Sequence, residues 1–392
     1  MDKVMRKYIL FVDSDEENIR NMKREFAPME NEWEMYFAST SDYAIKILAE
    51  EKVDTIVTDL NMPETDGPRL LSMAKEGYPK TVRIIMTEKD TEQDKLLRSA
   101  QVAHQFVTKP LGLDEFKQRM ERTFRLRSHL ENEKLQKMIG GIGALPSLPE
   151  VYLKLEEAFN NPDISIREIA DLISSDMTMT AKILQLVNSP IFGMPVKVND
   201  IVQAVNFLGI NVLKNLTLYV KVFATYGIAI DKNFPMEELW QHSLKVGKAA
   251  RAIAKHRGMD KRHREEAYVA GILHDVGKLI MLTMPEYYPA VLKLIKENNM
   301  SYFEAEYDLY KTTHAEAGAY LLSVWGLSDN ITEAVAYHHR PSRAKAGSFS
   351  VLSAVHLANS IVRMVPVLDF AYIKNINIES ELYEFVDAVR NS

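Results

Sequence analysis

Five short apolar runs, at residues 8–12, 33–38, 55–58, 82–86 and 105–107, recur in the first third of the chain with amphipathic stretches between them. This alternation constrains the fold more than any other feature. Parallel strands need a crossover of a dozen residues or more, usually a helix. The intervening stretches supply one, as where Ser41 precedes Ala44, Ile45, Leu48 and Ala49 on a single helical face. Five β–α repeats predict a parallel sheet covered by helices on both faces, with functional groups at the carboxyl ends of the strands.

Beyond Lys109-Pro110 the pattern changes. Residues 114–138 carry Phe116, Met120, Phe124, Leu130 and Leu135 among many charges, which predicts one long exposed helix, and Gly140, Gly141 and Gly143 then predict a break. After Leu145 no alternation of period two persists, whereas Ser147 with Glu150 and Ser165 with Glu168 have capping-box spacing, so the remainder reads as all-helical. Asn188-Ser189-Pro190 and Leu208-Gly209 supply stops, and residues 227–235 join two helical subdomains. The expected organisation is an α/β unit at 1–125, a linker helix and glycine hinge at 113–143, a helical unit at 144–365 divided into 144–230 and 231–365, and a C-terminal tail at 366–392.

A chain of 392 residues, 46% of them apolar, suits two or three domains. With 48 basic and 54 acidic side chains the net charge is −6, so the bulk electrostatics announce neither a nucleic-acid nor an anionic-membrane partner, although a local basic patch is compatible with them. Cysteine is absent, which excludes disulfides, thiolate metal sites and thiol nucleophiles and fits a reducing compartment. The N-terminal apolar run is too short for a signal peptide, and no run approaches the length of a membrane span. A soluble cytoplasmic protein is expected.

The strand ends carry the first chemical signal. The first strand runs into Asp13-Ser14-Asp15-Glu16, where a nucleotide-binding βα unit would place glycines. The third ends in Asp59-Leu60-Asn61-Met62-Pro63, followed by Asp66-Gly67; the fourth ends in Thr87, and the fifth runs through Phe106 into Lys109. A carboxylate attacks a phosphoryl group only when anionic repulsion is offset, which Mg²⁺ held by Asp13, a neighbour, Asp59 and the backbone carbonyl of Asn61 would do. These motifs resemble the receiver domain of bacterial two-component response regulators across about the first 125 residues. The resemblance implies a flavodoxin-like fold, phosphorylation of Asp59 by a sensor histidine kinase, phosphoryl contacts from Lys109 and Thr87, and a coupled switch of Thr87 and Phe106. The family usually has two consecutive acids after the first strand. Here Ser14 stands second, so either Asp15 takes over as a metal ligand or one ligand is missing. Glu88 stands where a small residue usually follows the switch threonine.

Histidine supplies the second signal, because the ten in the chain concentrate late. Adjacent His274 and Asp275 can share a metal with His242 from another helix, and Asp275 could bridge two ions. In order, His242, His274-Asp275, His314 and His338-His339 resemble the HD superfamily of metal-dependent phosphohydrolases, which implies Fe, Mn or another divalent ion. Asn359 stands where a catalytic member supplies aspartate, and Arg340-Pro341-Ser342-Arg343 lacks the Gly-Tyr-Pro signature of cyclic-dinucleotide phosphodiesterases. Lys278 reads as a solvated lysine at a helix end. Leu145-Pro146-Ser147-Leu148-Pro149, Thr180-Ala181-Lys182-Ile183-Leu184, Asn188-Ser189-Pro190, Leu208-Gly209 and Trp240-Gln241-His242-Ser243 resemble the HDOD domain over roughly residues 140–365. That resemblance implies an output that regulates through protein interaction.

The expected function is thus a response regulator whose output binds a protein partner, with homodimerisation compatible. Two alternatives are a receiver-regulated phosphohydrolase and a DNA-binding regulator using residues 165–188 as a helix-turn-helix. For the latter, the second helix offers Lys182 and Gln185 but no arginine, and Asp171 and Asp176 lie nearby, so core packing is the preferred reading.

Overall fold

The computed structural model describes residues 6–391 apart from 64, 89–98, 100–101, 129, 131–132, 143–148, 162–163, 189–196, 211–212, 214–230, 232, 345–346 and 364–367. Strands β1 (Lys7–Val12), β2 (Trp33–Ala38), β3 (Thr55–Asp59), β4 (Val82–Thr87) and β5 (Gln105–Thr108) lie parallel in the order β2-β1-β3-β4-β5. Each contains the run expected from sequence. Side chains alternate across the sheet as the pleat requires: Ile9 and Phe11 enter a core with Phe26, Trp33 and Phe116, whereas Leu10 and Val12 enter another with Ile56, Ile85 and Phe106. Helices α1 (Glu16–Phe26), α2 (Ser41–Glu50) and α3 (Gly67–Gly77) each begin on a side-chain cap, from Asp15, Thr40 and Asp66 respectively.

The single long exposed helix expected over 114–138 is two helices, α4 (Leu113–Ser128) and α5 (Glu133–Gly141), with Leu130 buried and non-helical between them. Neither is a solvated spacer. Phe116, Met120 and Phe124 face the sheet, and Leu126, Leu130, Leu135 and Ile139 belong to a core that continues into the helical unit. Gly140 is helical and serves close packing: a Cβ there would stand 1.8 Å from the Pro79 carbonyl oxygen.

The helical unit includes α6 (Pro149–Asn160), α7 (Ile166–Ser174), α8 (Met177–Val187), α9 (Met236–His256), α10 (Lys261–Leu273), α11 (Gly277–Met281), α12 (Tyr287–Asn298), α13 (Tyr302–Tyr310), α14 (His314–Val324), α15 (Asp329–Tyr337) and α16 (Val351–Arg363), with residues 201–210 helical as well. The Ser165–Glu168 capping box is present, whereas Ser147, Ser189 and most of the expected joining segment lie outside the described residues. The expected tail instead forms α17 (Phe370–Asn375) and α18 (Leu382–Arg390), whose Tyr372, Ile373 and Phe385 are buried. Helix α8, the recognition helix of the DNA-binding alternative, is buried along its whole length, Lys182 and Gln185 included. It has no face to offer a groove, and that alternative is withdrawn. Among the described residues no helix is long and apolar enough to cross a membrane.

The two units touch along β5 and α4. Gln105 donates to the Ser323 carbonyl at 3.2 Å, Gln185 donates to the His104 carbonyl at 2.7 Å, and Arg122 donates to the Leu327 carbonyl at 2.8 Å while pairing with Asp329. Behind them Arg83 is buried and donates to the carbonyls of Val102 and Gly140, each at 2.7 Å.

Candidate functional site

At the carboxyl ends of the sheet, Asp13 follows β1, Asp59 ends β3, and Lys109 follows β5. The order β2-β1-β3 reverses direction beside β1, which opens the crevice where α/β sheets bind ligands. Lys109 Nζ lies 2.8 Å from Asp13 Oδ2 and 3.1 Å from Asp59 Oδ1. Burial raises the Asp59 carboxyl above the usual aspartate range, against the pull of Lys109. Burial works the other way on Lys109, but its bond to Asp13 and the charge of Asp59 hold its affinity for a proton above that of an ordinary lysine. Thr87 is buried beside them, its hydroxyl donating to the Glu88 carbonyl at 3.2 Å, and Phe106 is buried in the core. The Glu88 side chain is exposed.

Asp15 uses its carboxylate to cap α1, accepting from Glu17 N at 2.7 Å. Its backbone N–H donates to Asp13 Oδ1 at 2.9 Å, and Asn18 donates to Asp13 Oδ2 at 3.2 Å. Among the described residues, Asp13, Asp15 and Asp59 do not form a group of carboxylates within 4.8 Å of one another. Asn18 was not anticipated; its place one turn into α1, aimed back at the strand end, was the available signal.

The histidines converge. Helices α9 and α10 cross so closely that a Cβ on Gly271 would stand 2.6 Å from the Gly247 Cα, and this contact sets the His242 and His274 rings 5.3 Å apart. His274, Asp275, His314, His338 and His339 come from the end of α10, the start of α14 and the end of α15. Two groups have ligand atoms mutually within 4.8 Å: Asp275, His314, His338 and His339, and His242, His274 and Asp275.

The hydrogen bonds fix the ring orientations. His274 Nδ1–H donates to the Gly271 carbonyl at 2.7 Å and His338 Nδ1–H to the Val335 carbonyl at 2.8 Å, so both Nε2 atoms turn to the centre. His314 Nδ1–H donates to Glu306 at 2.6 Å, and Glu306 also accepts from the His314 backbone N–H and the Tyr287 hydroxyl. Around this centre, among the described residues, the buried His274 Nε2, His338 Nε2 and Asp275 Oδ1 make no hydrogen bond of good geometry, although His314 Nε2 stands 3.1 Å from Asp275 Oδ1 and His274 Nε2 3.3 Å from Asp275 Oδ2. Orphaned acceptors at one point cost free energy unless a cation or water joins them, so the donor set fits a divalent ion of the Fe, Mn or Zn type.

Electrostatics agree only in part. Burial and His274 push the His242 imidazole down to about 3, and burial also holds His338 and His339 far below the usual histidine range. These rings are neutral and able to ligate. Burial acts against the Asp275 carboxylate, but His274 and Lys278 hold it well below the usual range. Lys278 is no solvated helix-end lysine: it is buried, with Nζ 2.6 Å from Asp275 Oδ2, and Arg363 lies 3.4 Å from the same oxygen. Asn359 Oδ1 lies 3.1 Å from His242 Nε2. His356 stands apart from the cluster as a satisfied core histidine, bonded to the His338 carbonyl and the Asp369 N–H. A cavity of about 40 Å³, lined by Tyr302, Phe303, His338, His339, Asn359 and Arg363 among others, opens on the cluster. It has room for one or a few waters, on the order of 10–15 Å³ each.

A five-stranded sheet with an acidic rim, joined to a helical unit with a histidine–aspartate centre, defines a protein of two modules. Comparison agrees: the family described as response regulator receiver domain matches residues 9–121, and the HDOD domain family matches residues 145–341. The chain belongs to the HDOD family and carries an N-terminal receiver domain. It is similar to an uncharacterized protein of Treponema pallidum, 29% identical over 225 residues, covering 57% of this chain and 43% of that one. It is also similar to the alkaline phosphatase synthesis transcriptional regulatory protein PhoP of Bacillus subtilis, 30% identical over 158 residues, covering 38% of this chain and 65% of that one. The chain thus spans less than two thirds of these relatives. Among solved structures, the MmoQ response regulator of Methylococcus capsulatus aligns with 62% of this chain and 98% of its own, at 22% identity and a TM-score of 0.47.

Proposed function

We propose that Asp59 accepts a phosphoryl group from a sensor histidine kinase, and that the HDOD module answers by binding or releasing a protein partner. One observation carries this reading. The strand that leads into Lys109 is β5, and its first residue, Gln105, is bonded to Ser323 of the output module at 3.2 Å. A rearrangement around Lys109 and Phe106 has only the length of a four-residue strand to travel.

In the transfer, an Asp59 carboxylate oxygen bonds to phosphorus while the donor's nitrogen–phosphorus bond breaks and the imidazole leaves. Mg²⁺ held by Asp13, Asp59 and the Asn61 carbonyl would offset the repulsion between anions. Lys109 turns from Asp13 to the phosphoryl oxygens, the Thr87 hydroxyl leaves the Glu88 carbonyl for them, and Phe106 follows into the space Thr87 vacates. Incubation of the full chain with labelled acetyl phosphate and Mg²⁺ should give an acid-stable, alkali-labile adduct that Asp59→Asn abolishes. Absence of labelling from acetyl phosphate and from every kinase tried would sink the reading. Capture of partners by phosphorylated protein and by Asp59→Asn then identifies the output.

The orphaned atoms around Asp275 support a second reading, a metal-dependent phosphohydrolase. The small cavity and the two cations already on Asp275 Oδ2 favour a binding module instead. Metal analysis of the full chain decides: stoichiometric metal and phosphodiester hydrolysis, both lost in His274→Ala, would establish the enzyme.

A further inference from the structure

One groove breaks with the acidic balance of the chain. It lies where the start of α7, the middle and end of α9, the start of α10 and the end of α18 meet, and it encloses about 970 Å³. Arg167, Lys248, Arg251, Lys255, Lys261 and Arg264 line it, against two acids, Asp171 and Glu265. Arg251 pairs with Glu265 at 3.6 Å, and none of the other five cations has a carboxylate within 4.0 Å among the described residues. Helix stability does not explain them. The first turn of α10 contains Lys261, Arg262, His263 and Arg264, and the acid at this helix end, the N-cap Asp260, is bonded to His263, although the positive end of the helix dipole disfavours cations there.

We propose that this groove binds the sugar–phosphate backbone of nucleic acid, without reading sequence. The cations are spread over three helices, too widely for a single phosphate. Along α9 alone, Lys248 and Lys255 stand roughly 10 Å apart, the span of about three successive phosphates of one B-form strand. They sit on rigid helices, which suits a polymer of fixed charge repeat better than an acidic peptide whose carboxylates must first be ordered. Of the two rings that line the groove, Tyr268 is covered by the Arg251 guanidinium at 4.4 Å and His256 is engaged by Glu384 at 3.2 Å and by the Phe385 ring, so the surface offers mainly charge rather than a stacking platform for bases. This surface is separate from α8 and from both candidate sites.

The test measures binding of the full chain to a fluorescein-labelled mixed-sequence DNA duplex by anisotropy, between about 50 and 200 mM salt. The expected result is saturable binding whose log affinity falls against log salt with a slope of about −3. The double variant Lys248→Glu/Lys255→Glu, with an unchanged circular dichroism spectrum, should lose about tenfold or more at low salt. The matched variant Lys293→Glu/Lys296→Glu on α12 should stay within about twofold, which controls for net charge. Absence of binding at low salt, or equal loss in both variants, overturns the proposal. Displacement of the DNA by poly-glutamate at matched charge concentration also overturns it, and assigns the groove to an acidic protein.

Discussion

Asp59 illustrates how burial and charge compete at a single carboxyl. Because burial raises its proton affinity, the nucleophilic carboxylate is lost at a higher pH than for an exposed aspartate. Acetyl phosphate labelling should therefore decline on acidification while free aspartate is still ionised. Lys109→Ala, which removes the charge that opposes this shift, should move the decline to higher pH. A labelling rate that titrates like an exposed aspartate in both proteins would contradict the burial argument. In the output module, Lys278 shows why residue type alone misled. A lysine after a His-Asp-Val-Gly run looks like a solvated helix end, and only the fold shows it buried against Asp275.

At the scale of elements, α5 gives the sharpest prediction. Its Gly140 backbone rests on Pro79 and its carbonyl takes the Arg83 guanidinium, so a larger residue must push the helix off the receiver. Gly140→Val should destabilise the full chain by several kcal/mol, with overpacking costing about 1–3 kcal/mol and an orphaned buried group a further 1–3 or so. Gly141→Val, where a Cβ meets nothing within 4 Å, should cost far less in the same denaturant titration. The strands were legible because period-two alternation and polar strand ends are local signals, and they located Asp13, Asp59, Thr87 and Lys109 together. The two-helix form of α4 and α5 was not legible. Amphipathic spacing says that a face is apolar and is silent on what covers it, so Leu130 and Leu135 read equally well on an exposed helix. Helix α8 packs in the core as its sequence favoured: Lys182 and Gln185 look like a polar face, yet Lys182 lies over the Trp325 ring and Gln185 bonds the His104 carbonyl. The histidine cluster was legible as a set and in order, while the glycine contact that brings α9 onto α10 was not.

At the scale of the whole molecule, buried basic groups between the modules couple stability to pH. Burial, with Lys75 nearby, lowers Lys182 to about 7. The folded chain then binds fewer protons than the unfolded chain, whose lysines titrate near 10.4. Stability must therefore rise with pH between about 7 and 10.4, and this contribution is already lost once pH has fallen to about 7. Urea titrations between pH 7 and 9 should show that rise. Lys182→Met should be more stable than the natural chain at pH 7 and show a flatter rise, with Lys197, lowered to about 7 by burial and Arg122, keeping part of it. A parallel pair of curves would exclude Lys182 as the source.

The apolar core that begins at Leu10 and Phe106 in the receiver runs without interruption through Leu135 and Ile139 to Trp325 and Phe385 in the output. A receiver is easily imagined as a cassette that evolution or an engineer can plug into any output. Here the socket is a shared interior. Exchanging the receiver for another would leave the output's share of that interior without its counterpart, so the two modules must change together, residue against residue, as the parts of one domain do.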